Sequence, residues 1–145
     1  MLKNAAGAGV DCRNNDFLGT GMKFPPQVNK ATGRFEMVSG EECIRQSIYL
    51  ILMTLKRERF IHPDFGSSLL EYTFIEENSS MQNLLISELE RDIRKAEPRI
   101  CNVKIEVEPA QREGFLMISI DYTIRETNHR DNMVFPFYLN PKGGA

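Results

Sequence analysis

The sequence has few of the residues on which metal and sugar-binding sites depend. Its 145 residues include no tryptophan and only two histidines, His62 and His129. The three cysteines are far apart and form no C-x-x-C pair, whereas zinc sites normally show paired ligands. We therefore expect no metal and no cofactor, and the odd cysteine count favours a reducing cytosol over a disulfide scaffold. The lack of indole rings, which offer large stacking surfaces, disfavours a sugar-binding cleft.

Charge and hydropathy disfavour two further classes of partner. The chain carries 18 Lys and Arg against 20 Asp and Glu, a net charge of −2, and domains that bind DNA through its phosphates are usually strongly basic. No apolar run approaches the ~18 residues of a membrane span, and residues 1–16 lack the apolar core of a signal peptide. We expect no nucleic-acid partner, no direct membrane insertion, and synthesis in the cytoplasm.

Recognisable catalytic motifs are also missing. There is no G-x-S-x-G nucleophile elbow, and the Gly19–Gly21 segment lacks the downstream residues of a phosphate-binding loop. Neighbouring acidic residues such as Glu41 and Glu42 are explained by helix capping. We therefore expect no catalytic residues.

The order of apolar and polar residues predicts an α+β fold. Residues 1–16 read as a flexible arm, residues 17–140 as one domain and residues 141–145 as a tail. Met22 to Val38 predicts a hairpin that turns at residues 29–33, and apolar spacing predicts helices from Ser39 to about Leu55 and from Ser80 to Ala96. Alternation predicts strands over residues 103–107, 116–124 and 133–139, with a polar loop at residues 127–132. We expect an N-terminal hairpin and two main helices packed on a mainly antiparallel C-terminal sheet.

Three segments stand out as candidate sites. Glu97-Pro98-Arg99 lies between the second helix and the first strand of the sheet, where the Arg99 fork could grip a partner carboxylate or form a local contact with Glu97. Two aromatics in the loop after the first helix suggest that this loop is pinned to the core. Its structural residues are Pro63, Asp64, Phe65 and Gly66.

The last strand is apolar or aromatic on both faces. It consists of Met133 followed by Val134, Phe135, Pro136, Phe137, Tyr138 and Leu139. A strand with one wet face would alternate, and its internal proline indicates an edge position or a bulge. Either this strand is covered on both faces within its own fold, or its second face meets a partner.

Several pieces, in this order, resemble the baseplate-wedge, sheath-initiator family of contractile tails, which is also described as tail-lysozyme-like. They cover about residues 17–140, and they are Phe17–Pro25, Val38–Glu42, Ile44–Ile48, Glu58–Phe60, Pro63–Gly66, Glu97–Ile100, Thr127–Asn128 and Val134–Leu139. The resemblance implies a structural protein of phage tails, tailocins, type VI secretion systems or extracellular contractile injection particles.

The resemblance also implies partners and site roles. Members sit in a six-fold baseplate around inner tube proteins, so six copies per assembled particle are expected. Glu97, Pro98 and Arg99 would contact the bundle of baseplate wedge proteins. The strand from Val134 to Leu139 would add to a sheet of the sheath protein and template the first sheath ring. A peptidoglycan-cleaving tail lysozyme and a regulatory adaptor on the same fold are the alternatives.

Overall fold

A computed structural model describes residues 18–72, 79–109 and 114–138. These residues fall into two compact units, one that extends to Cys43 and one that begins at Ile44. The predicted arm at residues 1–16 and the predicted tail at 141–145 lie outside the described residues, as does Leu139. The expectation of one domain over residues 17–140 stays a prediction.

The first unit contains the predicted hairpin. Strands β1 (Thr20–Met22) and β2 (Met37–Ser39) pair antiparallel. The turn closes with bonds from the Asn29 amide to the Arg34 carbonyl and from the Gly33 amide to the Asn29 carbonyl, both 2.8 Å. The regular pairing is shorter than expected because Pro25 and Pro26 have no amide hydrogen to donate.

Helix α1 (Gly40–Met53) begins where Ser39 predicts and ends before Leu55. Its buried stripe contains Ile44, Ile48 and Ile51. The Thr54 hydroxyl donates back to the Leu50 carbonyl at 2.6 Å. Leu55, which was expected to belong to this stripe, instead lies outside the helix in a parallel bridge with Ser67.

Helix α2 (Ser79–Ala96) follows a short 3-10 helix (Leu69–Tyr72) and matches its predicted span within one residue. It buries Leu85, Leu89 and Ile93, the predicted stripe. It also buries Asp92, whose Oδ1 lies 2.7 Å from the Lys56 Nζ.

The three C-terminal strands form one antiparallel sheet in the order β3-β4-β5. Their bounds are Ile100–Pro109, Phe115–Ile124 and His129–Tyr138. Side chains of the inner face are buried, among them Ile105, Ile118, Ile120 and Phe135. The α+β prediction, with helices and an antiparallel sheet, is confirmed.

The last strand starts earlier than its composition indicates. Residues 129–132 belong to β5 and not to a loop, and the connecting turn is confined to residues 125–128. Arg130 and Asn132 are exposed, so their polar side chains do not prevent them from pairing with β4.

Candidate functional site

The corner between α2 and β3 holds a buried ion pair. The Glu97 amide continues the helix by donating to the Ile93 carbonyl at 2.8 Å, and Glu97 is only 2% exposed. The Arg99 guanidinium donates to both oxygens of this carboxylate, from Nε to Oε1 at 2.6 Å and from Nη2 to Oε2 at 2.5 Å. The local contact left open by the sequence is therefore formed.

Burial of Glu97 opposes its ionisation. Bonds from the Arg99 guanidinium and the Ser47 hydroxyl more than offset that cost, and the pKa of Glu97 lies below its ordinary value. The Arg99 side chain is 29% exposed and Pro98 is exposed, so the corner still presents a surface. The Arg99 carbonyl also accepts from the Arg125 amide at 2.9 Å, which ties the corner to the end of β4.

Strand β5 divides its side chains between two environments. Phe135 and Phe137 are buried, and the Phe135 ring meets the Tyr49 ring of α1 edge-on at 5.5 Å between centroids. On the opposite face Val134 is 50% and Tyr138 is 72% exposed. Among the residues that the structure describes, the second face of this apolar strand is therefore exposed, and they do not form a strand covered on both faces.

The exposed face continues onto the neighbouring strand. Pro136 pairs with Met117 and Tyr138 with Phe115, and the rings of Phe115 and Tyr138 are 5.7 Å apart. Phe115 and Met117 are half-buried, whereas Val134, Pro136 and Tyr138 are exposed. Neighbouring apolar side chains on one face mark an interaction surface more strongly than single exposed ones. We call this group, Phe115, Met117, Val134, Pro136 and Tyr138, the outer apolar patch.

The two edges of the sheet differ. At the β3 edge, α2 supplies side chains to backbone groups, because Arg94 donates to the Val103 carbonyl at 3.1 Å and the Glu90 carboxylate accepts from the Ile105 amide at 3.4 Å. Within the described residues β5 has a strand neighbour on one side only. Its outer edge is therefore the one at which another strand can be added.

An ion-pair network, which the sequence did not reveal, fastens β5 to α1. The Arg45 guanidinium donates to both oxygens of Asp131, at 2.8 and 2.6 Å, and the Tyr122 hydroxyl donates to Asp131 at 2.9 Å. Chiefly through Arg45, the pKa of Asp131 falls to about 2. Burial and the Asp131 carboxylate raise the pKa of Tyr122. These residues are up to 86 positions apart, so no local spacing signals the network.

The loop after α1 is held by its backbone. The Arg57 amide donates to the Pro63 carbonyl at 2.8 Å, and a Cβ on Gly66, whose φ is +118°, would lie 2.5 Å from the Thr54 carbonyl oxygen. Phe60 is 99% exposed, so this aromatic side chain does not pin the loop to the core as the sequence suggests.

The other two structural residues of that loop are Phe65 and Asp64. The Arg59 guanidinium lies over the Phe65 ring, 4.3 Å from its centroid. The Asp64 carboxylate lies 3.7 Å from the Lys95 Nζ.

The described ranges contain no group of three His, Cys, Asp or Glu side chains placed to hold a metal ion. No helix in those ranges combines the length and apolar character that crossing a bilayer requires.

Comparisons with known proteins identify relatives. Residues 38–129 match the family model described as Baseplate wedge protein gp25. A Geobacter sulfurreducens protein provisionally assigned as a tail lysozyme is 37% identical, with a TM-score of 0.65 over 72% of this chain and 94% of that one. A chain of the anti-feeding prophage baseplate is 20% identical, with a TM-score of 0.63 over 87% and 90%, and shares the fold. Curated protein sequences give no match.

Proposed function

The chain belongs to the baseplate wedge protein gp25 family, and from that premise we propose that it is a sheath-initiating baseplate component of a contractile injection machine. It binds the wedge bundle through one surface and templates the first sheath ring by strand addition at another. In this proposal the protein takes part in assembly and does not catalyse a reaction. We expect it to be made in the cytoplasm and to end as part of an assembled particle.

The difference between the two sheet edges carries this proposal. Glu90 and Arg94 occupy backbone groups along β3, whereas β5 has no strand beyond it in the described residues. Main-chain hydrogen bonds to an added strand supply affinity without demanding much of its sequence. The outer apolar patch lies beside the open edge, so an added strand can also bury apolar side chains against it.

The Glu97-Pro98-Arg99 corner is the surface we assign to the wedge bundle. Glu97 holds the Arg99 guanidinium in one orientation, and a side chain fixed in this way loses less entropy when it binds. The partner would therefore meet the exposed Pro98 ring and the exposed part of Arg99. The assignment agrees with the resemblance, which gives these three residues the wedge contact.

A pull-down from cells that produce the protein tests both surfaces. The chain carries an N-terminal tag, because β5 is itself a proposed interface, and captured proteins are identified by mass spectrometry. We expect sheath, wedge and inner tube proteins with the unaltered chain. Val134→Asp should lose the sheath protein and keep the wedge proteins, while the matched control on the opposite edge, Lys104→Asp, should keep both.

The wedge surface needs a charge-neutral variant. Arg99→Ala alone leaves Glu97 buried and unpaired, so loss of binding could reflect loss of folding. Glu97→Gln combined with Arg99→Met removes the pair together, and circular dichroism must show that the fold is retained. This double variant should lose the wedge proteins and keep the sheath protein; normal wedge recovery would remove the corner from the proposal.

The expected six copies are tested by electron cryomicroscopy of assembled particles, in which six equivalent densities should surround the tube. Another count would correct the stoichiometry and leave the two surfaces to the pull-down.

A peptidoglycan-cleaving enzyme is the second candidate, because the 37%-identical Geobacter protein bears the name tail lysozyme. The purified chain is added to a cell-wall suspension and the turbidity is followed. We expect no fall. A fall that is abolished by substitution of a carboxylate would establish the enzyme, and recovery of one unrelated regulatory partner in the pull-down would favour an adaptor.

A further inference from the structure

We propose that the loop after α1 carries a further docking surface, at which the exposed side chains of Phe60 and Ile61 enter an apolar pocket of another protein. Carboxylates at the border of that pocket face the arginines of the loop. We call residues 57–63 the tip loop. The inference does not depend on strand addition at β5, because it concerns a different surface of the molecule.

The tip loop exposes two large apolar side chains that are neighbours in the sequence. Phe60 is 99% exposed and Ile61 is 83% exposed, whereas Phe65, just beyond the tip loop, is half-buried. Scattered exposed apolar residues are ordinary on protein surfaces, but adjacent ones mark a site of interaction more strongly. Removal of apolar surface from water is favourable in proportion to its area, so a partner that covers both side chains gains from each.

Backbone hydrogen bonds fix the tip loop at its base. The Arg57 amide donates to the Pro63 carbonyl at 2.8 Å, and the Phe65 amide donates to the His62 carbonyl at 3.1 Å. Arg57 has a φ of +70°, in the left-handed region that residues other than glycine seldom adopt. A residue holds this conformation only where the surrounding structure imposes it. The apolar tip therefore projects from a defined turn.

The residues that flank the tip loop form ion pairs with α2. The Lys56 Nζ lies 2.7 Å from Oδ1 of the buried Asp92, and the Asp64 carboxylate lies 3.7 Å from the Lys95 Nζ. The first pair is the stronger attachment, since an exposed pair such as the second contributes little. A surface held in place before it binds loses less conformational entropy on association. The tip loop is therefore prepared for a partner.

The charges of the loop indicate the kind of partner. Arg57 and Arg59 are exposed, and the Arg59 guanidinium lies over the Phe65 ring, 4.3 Å from its centroid. The Glu58 carboxylate, between them in the sequence, accepts from the Leu55 amide at 3.0 Å. Arginine and aromatic side chains are enriched among the residues that dominate binding at protein interfaces. Because guanidinium groups bind carboxylates well, the complementary pocket is apolar with Asp or Glu at its border.

A membrane or a nucleic acid fits these groups less well than a protein pocket does. Loops that bind membranes need several basic residues for anionic head groups and a broad apolar surface, and the tip loop offers two arginines and two apolar side chains. Binding to phosphates draws on a basic surface, whereas this chain has a net charge of −2. Two tip loops facing each other would bring like charges together. The partner we infer is therefore a different protein.

Photo-crosslinking from the tip tests the proposal in cells that produce the full chain. p-Benzoylphenylalanine takes the place of Phe60 or, as the matched control, of the exposed Leu84 on α2, and mass spectrometry maps each adduct to a peptide. We expect one protein to be joined from position 60 and not from position 84, through a peptide that contains apolar residues and Asp or Glu. No adduct specific to position 60, an adduct to this chain or to a second copy, or a peptide without a carboxylate would overturn the inference.

The apolar contact can be separated from folding because Phe60 is almost fully exposed. Phe60→Ala should leave the urea midpoint of unfolding unchanged. In a pull-down it should reduce recovery of the crosslinked protein roughly tenfold or more, as the loss of a dominant interface side chain does. Leu84→Ala removes another exposed apolar side chain and should stay within about twofold. Equal recovery by the two variants would overturn the role of Phe60.

The charges are tested at Arg57, because Arg59 also packs on Phe65. Arg57→Glu should reduce recovery about threefold or more, and Lys30→Glu, the same change of charge in the exposed turn of the hairpin, should not. A lysine in place of the partner's crosslinked carboxylate should restore recovery by the Arg57→Glu chain. If this exchange restores nothing, the pairing of charges at the pocket border is wrong.

Vesicles of equal parts phosphatidylcholine and phosphatidylserine test the membrane alternative. The purified chain should not sediment with them. Sedimentation that Phe60→Ala abolishes would assign the tip loop to a lipid surface and overturn the protein partner.

Discussion

An edge strand exposes backbone groups that have no partner strand, and the two edges of the C-terminal sheet cover these groups in different ways. Strand β3 gives two of its outward backbone groups to Arg94 and Glu90 of α2, whereas β5 closes one amide with its own Asp131 and another with a proline. The side chains of α2 thus occupy backbone groups of β3, whereas β5 leaves its outer edge to the strand addition that we propose. Under the proposed function, the assembly surface is the edge that is less completely protected.

The largest effect we expect separates the two faces of β5. Phe135→Ala removes a buried ring that packs on Tyr49 and should cost about 3–5 kcal/mol of unfolding free energy. Val134→Ala, one residue away on the exposed face, should stay within about 0.5 kcal/mol. Urea denaturation followed by circular dichroism measures both. Similar losses would mean that the outer face is packed as tightly as the inner one.

The next effect belongs to the corner where β3 begins. Arg99→Ala leaves the buried Glu97 carboxylate without its guanidinium and should cost about 3 kcal/mol. Glu97→Gln with Arg99→Met leaves no buried charge and should cost clearly less. Chemical denaturation of the two variants side by side gives the comparison. A double variant as unstable as the single one would show that the pair itself, and not the abandoned charge, stabilises the corner.

The ion-pair network of Asp131 with Arg45 and Tyr122 makes the stability of the fold depend on pH. The pKa of Asp131 is lowered from 3.8 to about 2, so its contribution is complete above about pH 4 and is lost as the pH falls towards 2. We expect about 1–2 kcal/mol, limited because Arg45 is half exposed to solvent. Asp131→Asn should flatten this part of the stability profile. Glu97, whose pKa is also lowered, contributes its own acid loss and remains unchanged in that control.

The sequence predicts the elements of this fold better than their contacts. Spacing of Ile44, Ile48 and Ile51 identifies α1, and alternation from Leu116 to Ile124 identifies β4, because burial imposes a period on one continuous segment. The start of β5 was missed because exposed polar side chains at residues 129–132 look like those of a loop.

The sequence predicts less of the candidate site. It singled out the Glu97–Arg99 corner and the last strand, since both depend on neighbouring residues. It could not show that Asp131 meets Arg45 or that Glu90 reaches Ile105, because those contacts join separate segments. Phe60 shows that the sequence can also suggest a contact that is not made. Aromatic side chains in loops are often packed, but this one is exposed.

The smallest change in stability that we expect comes from uncovering the β3 edge, and it should increase self-association of the chain. Glu90→Ala with Arg94→Ala removes the side chains that occupy the β3 edge and should cost less than about 1.5 kcal/mol, because both bonds are only partly buried. An edge opened in this way should make the chain self-associate at concentrations where the unaltered protein does not, as measured by sedimentation velocity. Lys95→Ala, which removes an exposed charge from the same helix, is the control. If the double variant self-associates no more than the control, the bonds from Glu90 and Arg94 do not protect the β3 edge. The difference between the two edges would then come only from the steric cover that α2 provides.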